Sequence, residues 1–445
     1  MLKYLPVLML LLLLCSCATP ARIKPGPDNV PVKPFPAALE GKPETLSRAT
    51  IAAVGDLLMH DMVKSSAAAA DEKWILGISK NNSGYDALFE DISNELRSAD
   101  ISFANLETPI TPRAEGKPFA FNAPEALLDA LKDGGVDIVS FANNHVYDQG
   151  RPGFAETLEN LKNAGIDCVG AGNNRTEAAK PVTYEVNGLK IAFLGYTRLL
   201  NGNMNTPDPA EPYVNGLDMP TVIAAVRNSK KTADFVVVSL HWGNEYELEP
   251  TAENRVLAKQ LFEAGADAII GHHPHVLEPI EVYRADDGRY CFVVYSLGNF
   301  ISNQSCFYSD NIAPEKMGDT RDSVILRFSV EKRDYGSGVT RVELSKLYYT
   351  PIWTENDTIM VKGKGPPRIR IVSLDRAVKK LEHEIAGMVE GKPPDDEQKY
   401  VDLMRALENL KDRRRIILYR LGKDYALPPE TNLNSEPKKA PKRIN

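Results

Sequence analysis

From Thr50 onward, short apolar runs rich in β-branched residues alternate with amphipathic stretches, and run after run ends in a His, Asp, Glu or Asn. The runs are Thr50–Val54, Ile101–Asn105, Ile138–Phe141, Ile191–Gly195, Phe235–Leu240, Ala268–Ile270 and Cys291–Tyr295. Between them, residues 86–98, 124–133, 153–164, 219–229 and 250–264 carry helical spacing. This alternation predicts crossover units and a largely buried sheet, hence an α/β fold. Ser323–Val330 and Val339–Tyr349 have no helix between them and predict an antiparallel pair closing a core over residues 49–355.

The polar residues at the run ends define the chemistry. Six of the seven histidines, His60, His145, His241, His272, His273 and His275, follow apolar runs directly, together with Asp56, Glu107 and Asn144. Residues just beyond the carboxyl ends of parallel strands share one crevice. Neighbouring strands would therefore gather two carboxylates, a carboxamide and several imidazoles. Hard oxygen ligands mixed with imidazoles suit divalent Mn, Fe, Zn or Mg rather than a thiolate metal. So many ligands suit two divalent metal ions, a pair able to activate water and to stabilise a phosphoryl transition state. Each fragment has a plainer reading alone: Gly55-Asp56 as a turn, Asn143-Asn144-His145 as a polar loop, His241 as a hydrogen-bonded core edge. Their repeated placement argues for a metal, and Gly271-His272-His273-Pro274-His275 is the strongest fragment.

The N-terminus predicts an address. Lys3, an apolar run from Leu5 to Leu14 and then Cys15-Ser16-Cys17 describe a secretory signal over residues 1–17, resembling a bacterial lipobox with Cys17 as the lipidated residue. Seven prolines between Pro20 and Pro43 predict an extended tether over 18–48. Cys168, Cys291 and Cys306 lack metal-ribbon spacing, and the first two read as core residues. With 53 Lys+Arg against 60 Asp+Glu, a net charge of −7 gives no field to hold nucleic acid, so none is expected as a partner. Residues 366–423 predict a charged helical appendage, whose cluster Lys411–Arg415 reads as a solvated face, and 424–445 a disordered tail.

The fragments Val54-Gly55-Asp56, Asn105-Leu106-Glu107, Ala142-Asn143-Asn144-His145 with Asp148 and Gly150, and Gly170-Ala171-Gly172-Asn173 resemble the bacterial CapA family of poly-γ-glutamate capsule synthesis. His241-Trp242-Gly243 with Glu245, Gly271–Val276 and Tyr295–Phe300 continue the match, in family order, from about residue 50 to 303. That family is a branch of the calcineurin-like metallophosphoesterases. The resemblance implies a metallophosphoesterase-like β-sandwich core flanked by helices, with a dinuclear site at one edge. It implies that Asp56 and His275 bind the first metal, with His60 as a further candidate. Glu107 would bridge, and Asn144, His241 and His273 would bind the second. His145 would protonate the leaving group, and His272 would stand aside. Arg198 and Glu245 are candidates for contact with substrate, with a surface salt bridge as the other reading of Arg198.

Three positions depart from the pattern: Leu57-Leu58 follow Asp56 where ordinary members place Asp-x-His, Glu107 replaces a bridging Asp, and Glu278 stands where Gln is common. The expected protein is an exported, membrane-anchored lipoprotein of the cell envelope and a metal-dependent hydrolase. Its partners would be a phosphoester or an anionic surface polymer, the membrane through its lipid anchor, and capsule synthase subunits. The alternative is a non-catalytic metal-dependent binder of the polymer.

Overall fold

The computed structural model describes residues 43–72, 83–113, 120–202, 205–206, 208, 211–308, 315–361, 363–389, 396–427 and 441–444. The expected signal segment with Cys17, and the tether as far as residue 42, lie outside them.

Two sheets form the core. In the first, β1 (Glu44–Leu57), β2 (Ile101–Leu106), β3 (Ile138–Ser140) and β4 (Asp167–Val169) run parallel in that order. The connections carry α1 (Asp61–Glu72), α2 (Ser93–Arg97), α3 (Ala126–Gly134) and α4 (Gly150–Asn163). A small ribbon pairs β5 (Ala171–Gly172), beside the one-turn α5 (Arg175–Ala178), with a strand further along the chain. The second sheet begins with β6 (Val182–Val186) and β7 (Leu189–Thr197); β8 (Tyr213–Val214) completes the ribbon. It continues through α6 (Met219–Lys230), β9 (Phe235–His241), α7 (Ala252–Ala264) and β10 (Ala268–His272) to β11 (Leu277–Arg284) and β12 (Tyr290–Leu297). Strands β7, β9, β10 and β12 are parallel neighbours. The chain then returns to the first sheet with β13 (Asn299–Ile301) and the antiparallel pair β14 (Asp322–Asp334) and β15 (Thr340–Asn356). After α8 (Thr358–Val361) it adds β16 (Ile369–Ser373), then α9 (Leu374–Val389), α10 (Glu397–Leu421) and β17 (Lys442–Ile444).

Period-two alternation of side chains explains the layering. On β9, Val236, Val238 and Leu240 pack on Val222 and Val226 of α6 and on Leu257 and Leu261 of α7. On β1 to β3, Val54, Ala104 and Val139 pack on Leu127, Leu131, Phe154 and Leu161 of α3 and α4. The opposite faces meet between the sheets: Phe103 stacks on Phe193 with ring centroids 6.0 Å apart, Phe235 on Phe328 at 5.9 Å, and Phe292 meets Phe328 at 5.1 Å. The result is the expected β-sandwich core flanked by helices. Three of the flanking helices are punctuated locally: Asp218 and Thr251 cap α6 and α7 by accepting the Thr221 and Asn254 amides, and left-handed Gly135 and Gly265 end α3 and α7.

Several boundaries move. Glu44–Arg48 belong to β1 rather than to the tether, because their backbone pairs with Glu331–Asp334 of β14. The region 366–423 opens with a sheet strand, β16 on β15, and its helices are fastened to the core by a buried charge cluster. Arg413 of α10 is fully buried and donates to Asp319 and Asp322, and Arg420 donates to Asp319. The solvated-face reading of Lys411–Arg415 therefore fails at Arg413. The expected disordered tail begins inside a helical turn, Lys423–Tyr425, and its β17 pairs with β6, where Arg443 meets Asp167. Residues 428–440 lie outside the described set. The expected helix over 86–98 divides into a 3-10 turn, Tyr85–Leu88, and α2. Cys291 is buried in the core and Cys168 is half-buried, both as free thiols along with Cys306. Among the described residues no helix is long and apolar enough to cross a membrane.

Candidate metal centre

The parallel strands of both sheets end at one edge, and their terminal residues converge there. Asp56 sits at an irregularity of β1, where the ladder to β2 skips between Ala53 and Asp56 and turns the carboxylate toward the gap between the sheets. Gly55 and Gly271 permit this close approach, since a Cβ on either would overlap the carbonyl of Gly298 or of Tyr295. In the second sheet His241 and His272 lie side by side in register at the ends of β9 and β10. The turn after β10 holds His273 at φ 99° and His275 at φ 61°, left-handed conformations that side chains other than glycine rarely adopt and that concentrate at functional sites.

Fully buried Asp56 is the hub. Its Oδ1 accepts from Asn105 Nδ2 at 2.8 Å and lies 3.1 Å from His272 Nδ1, while Oδ2 lies 3.2 Å from His275 Nδ1. Asn105 Nδ2 also reaches Glu107 Oε2 at 3.3 Å. His241 Nε2 stands 2.9 Å from Asn144 Oδ1 and 3.5 Å from Glu107 Oε1. His145 Nδ1 meets Asp148 Oδ2 at 2.8 Å, leaving its Nε2 on the crevice side, 4.0 Å from Glu107 Oε1.

The electrostatics favour added positive charge. Burial works against ionisation of Asp56, but hydrogen bonds with His272 and His275, and then the charge of these rings, hold its carboxyl well below the usual range. Burial, followed by the charges of Asp56, Glu245 and Asp148, pushes Glu107 well above it. Burial pushes His241 well down and His273 to about 4, with neighbouring imidazoles adding to both effects. Neutral imidazoles and carboxylates are the forms that ligate metals.

Divalent cations fit this donor set. Ligand atoms of Asp56, Glu107 and His241 lie within 4.8 Å of one another, as do those of Glu107, His273 and His275. Glu107 belongs to both groups. Glu107 Oε1 and His273 Nδ1 are buried without a hydrogen-bond partner, a costly condition that cations would relieve.

The expected residues distribute as follows. Asp56, Glu107, Asn144, His241, His273 and His275 come together, with His145 beside them, but the structure groups Asp56 with His241 and His273 with His275 rather than Asp56 with His275 and His241 with His273. His60 falls outside both groups: its Nδ1 lies 3.2 Å from the Asn303 amide, its ring meets Phe121 edge-on at 4.9 Å, and burial pushes it down to about 4. His272, expected to stand aside, is instead buried against Asp56. Arg198 is engaged by Glu253 at 2.8 and 3.0 Å on the surface, the salt-bridge reading. Glu245 is exposed near enough to raise Glu107. Trp242 is buried and donates to the Tyr295 carbonyl at 3.1 Å, a packing role. Asn299 donates to Ser302, Gln304 and Thr320 and pins its turn. Nothing in the sequence signals that Asn105 links Asp56 to Glu107, although it opens the fragment Asn105-Leu106-Glu107. The His145–Asp148 pairing was readable from its spacing of three.

Residues 50–304, including every candidate metal ligand, match the profile of the family described as "Bacterial capsule synthesis protein PGA_cap". The chain belongs to this capsule synthesis family. Among its relatives, the PGA biosynthesis protein CapA of Bacillus subtilis is 34% identical over 291 residues, covering 63% of this chain and 70% of that protein. The Capsule biosynthesis protein CapA of Bacillus anthracis is 32% identical over 302 residues, covering 66% of each chain. The chain thus spans about two thirds of the length of these family members. Among solved structures, the NAD nucleotidase of Haemophilus influenzae superposes with a TM-score of 0.37 at 13% identity, over 82% of this chain and 60% of that one.

Proposed function

We propose that this chain is a metal-dependent hydrolase of the phosphoesterase type, with two cations held by one crevice, serving synthesis, export or anchoring of an anionic surface polymer. The observation that carries the reading is the pair of ligand groups sharing Glu107, whose Oε1 is buried and unpartnered. Bound there, divalent cations would supply Lewis-acid activation of water and of the phosphoryl group. Asp56 and His241, with Asn144 beside His241, would hold one cation, and His273 and His275 the other, with Glu107 common to both. Asn105 and His272 keep the Asp56 carboxylate fixed for that purpose. His145 Nε2 faces the crevice and delivers a proton to the leaving oxygen, while Asp148 accepts the Nδ1–H and fixes the ring.

The names of the Bacillus relatives support a capsule or poly-γ-glutamate polymer as the setting. Cys17 after its apolar run supports lipidation, export and a membrane-anchored envelope location, with synthase subunits as partners.

The test is to load the purified chain with Mn, Fe, Zn or Mg and assay phosphoesters and γ-glutamyl peptides. His145→Ala is expected to keep its metal and lose about 10²–10⁴-fold in turnover, and His241→Ala to lose metal. A chain that takes up no metal under any loading condition would overturn the reading. Full metal and polymer binding without turnover would replace it with a non-catalytic binder.

A further inference from the structure

The segment Ala120–Ala123 crosses the site as a strap, and nothing in the strand-end pattern accounts for it. Its backbone is stitched to the loop behind Glu107: Ala123 N donates to Pro109 O, and Thr111 N to Ala123 O, both at 2.9 Å. Asn122 Oδ1 accepts Lys64 Nζ from α1 at 2.9 Å, and Phe121 O accepts Gln149 Nε2 at 2.9 Å. These contacts seat the Phe121 ring between two imidazoles, with centroids 4.6 Å from His145 and 4.9 Å from His60. The Phe121 amide donates to Asp148 Oδ2 at 2.7 Å, and this is the oxygen that lies 2.8 Å from His145 Nδ1.

The chemistry of an imidazole makes this arrangement consequential. Rotation about χ2 of histidine is broad and roughly two-fold, so one hydrogen bond leaves the ring plane loosely set. A carboxylate oxygen has lone pairs for two donors. With the Phe121 amide on one and His145 Nδ1–H on the other, the carboxylate is fixed and the tautomer of the ring with it. The Phe121 ring then blocks rotation from the side, in a tilted aromatic contact of the favourable kind.

We infer that Phe121 is a positioning residue for His145: its ring sets the imidazole plane and its backbone amide, by holding Asp148, keeps a proton on Nδ1, so that Nε2–H of the imidazolium points to the leaving group. This rests on the proton-donor role given to His145 above. Phe121 acts through His145 and does no chemistry itself.

The experiment uses the full chain, loaded with Zn or Mg, as wild type, Phe121→Ala, Phe121→Leu and Phe121→Tyr. Long-range ¹⁵N–¹H spectra of histidine-labelled protein report the ring directly. Every variant keeps the backbone amide on Asp148, so wild type and Phe121→Tyr should show one sharp set of His145 ring signals, and Phe121→Ala and Phe121→Leu signals broadened by exchange between ring orientations. Turnover should fall about 10-fold or more for alkyl phosphoesters, whose poor leaving groups need the proton, and change less than about 3-fold for 4-nitrophenyl esters. KM and metal content should hold, and Phe121→Ala in a His145→Ala background should cost nothing further. An unchanged His145 signal in Phe121→Ala overturns the inference, as do equal losses with both leaving groups or an additive double variant. A wild type that turns over neither ester would sink the hydrolase reading alone, and the spectra would still decide the positioning claim.

Discussion

Arg413 offers a sharp test of how the C-terminal helices belong to the fold. Its guanidinium is fully buried, 2.9 Å from Asp322 Oδ1 through Nε and 2.8 Å from Asp319 Oδ1 through Nη2, with the Tyr308 and Trp353 rings 5.8 and 5.6 Å away. Burial opposes its charge, but the Asp322 and Asp319 carboxylates more than offset this and hold the guanidinium firmly protonated. Removing one partner of a buried pair leaves the other charge uncompensated, at about 3–5 kcal/mol. Arg420 still reaches Asp319 at 2.7 Å but stands 3.7 Å from Asp322, so the main loss falls on Asp322 and Arg413→Met should cost about 3 kcal/mol or more. Urea unfolding measures it. Arg413→Met combined with Asp322→Asn should lose less than the sum of the single changes by about 1 kcal/mol or more, because the second change removes the stranded charge. A loss below about 0.5 kcal/mol, the scale of an ordinary surface substitution, would show α10 to be an appendage and refute the reasoning.

Glu278 gives a pH-dependent prediction. Burial pushes its carboxyl up to about 8, with the Glu249 charge adding and Arg255 opposing, and its Oε2 has no partner. A carboxyl raised by folding binds its proton more tightly folded than unfolded, so stability is greatest below about pH 4.5 and is lost as the pH rises toward 8. At about 1.36 kcal/mol per unit, Glu278→Gln should stabilise the chain by up to about 5 kcal/mol at pH 8.5 and by little at pH 4.5, and melting curves at both values check this. Gly271→Ala would drive a Cβ into the Tyr295 carbonyl and to 2.8 Å from Trp242 Nε1. Strain of this kind costs about 1–3 kcal/mol or more and should also disturb His272 and His273; an unchanged melting temperature with full metal uptake would contradict it.

The strand ends were legible because parallel crossovers force successive strands to finish at one edge, so Asp56, Glu107, His241 and His273 could be gathered without coordinates. Strands β4 and β11 were not legible: Asp167–Val169 opens on a charged residue and is only half-buried at two of its three positions, and Leu277–Arg284 mixes charged residues into an edge strand. Arg413 sits in a run of charge that reads as solvated, and only the fold reveals that it faces a carboxylate 91 positions earlier. The sequence likewise cannot say which of two adjacent histidines turns inward. Here the strand direction carries His272 onto Asp56, and left-handed turns bring His273 and His275 back to the crevice. Phe121 follows no apolar period and lies in a loop, so its contact with His145 left no mark in the pattern.

The central claim is that segments far apart in sequence form one cage for two cations. Anomalous diffraction from crystals of the chain grown with Mn tests it directly. The account predicts two peaks flanking the Glu107 carboxylate, one on the side of Asp56 and His241 and the other on the side of His273 and His275. Metal density elsewhere, or none in this crevice at saturating Mn, would contradict it.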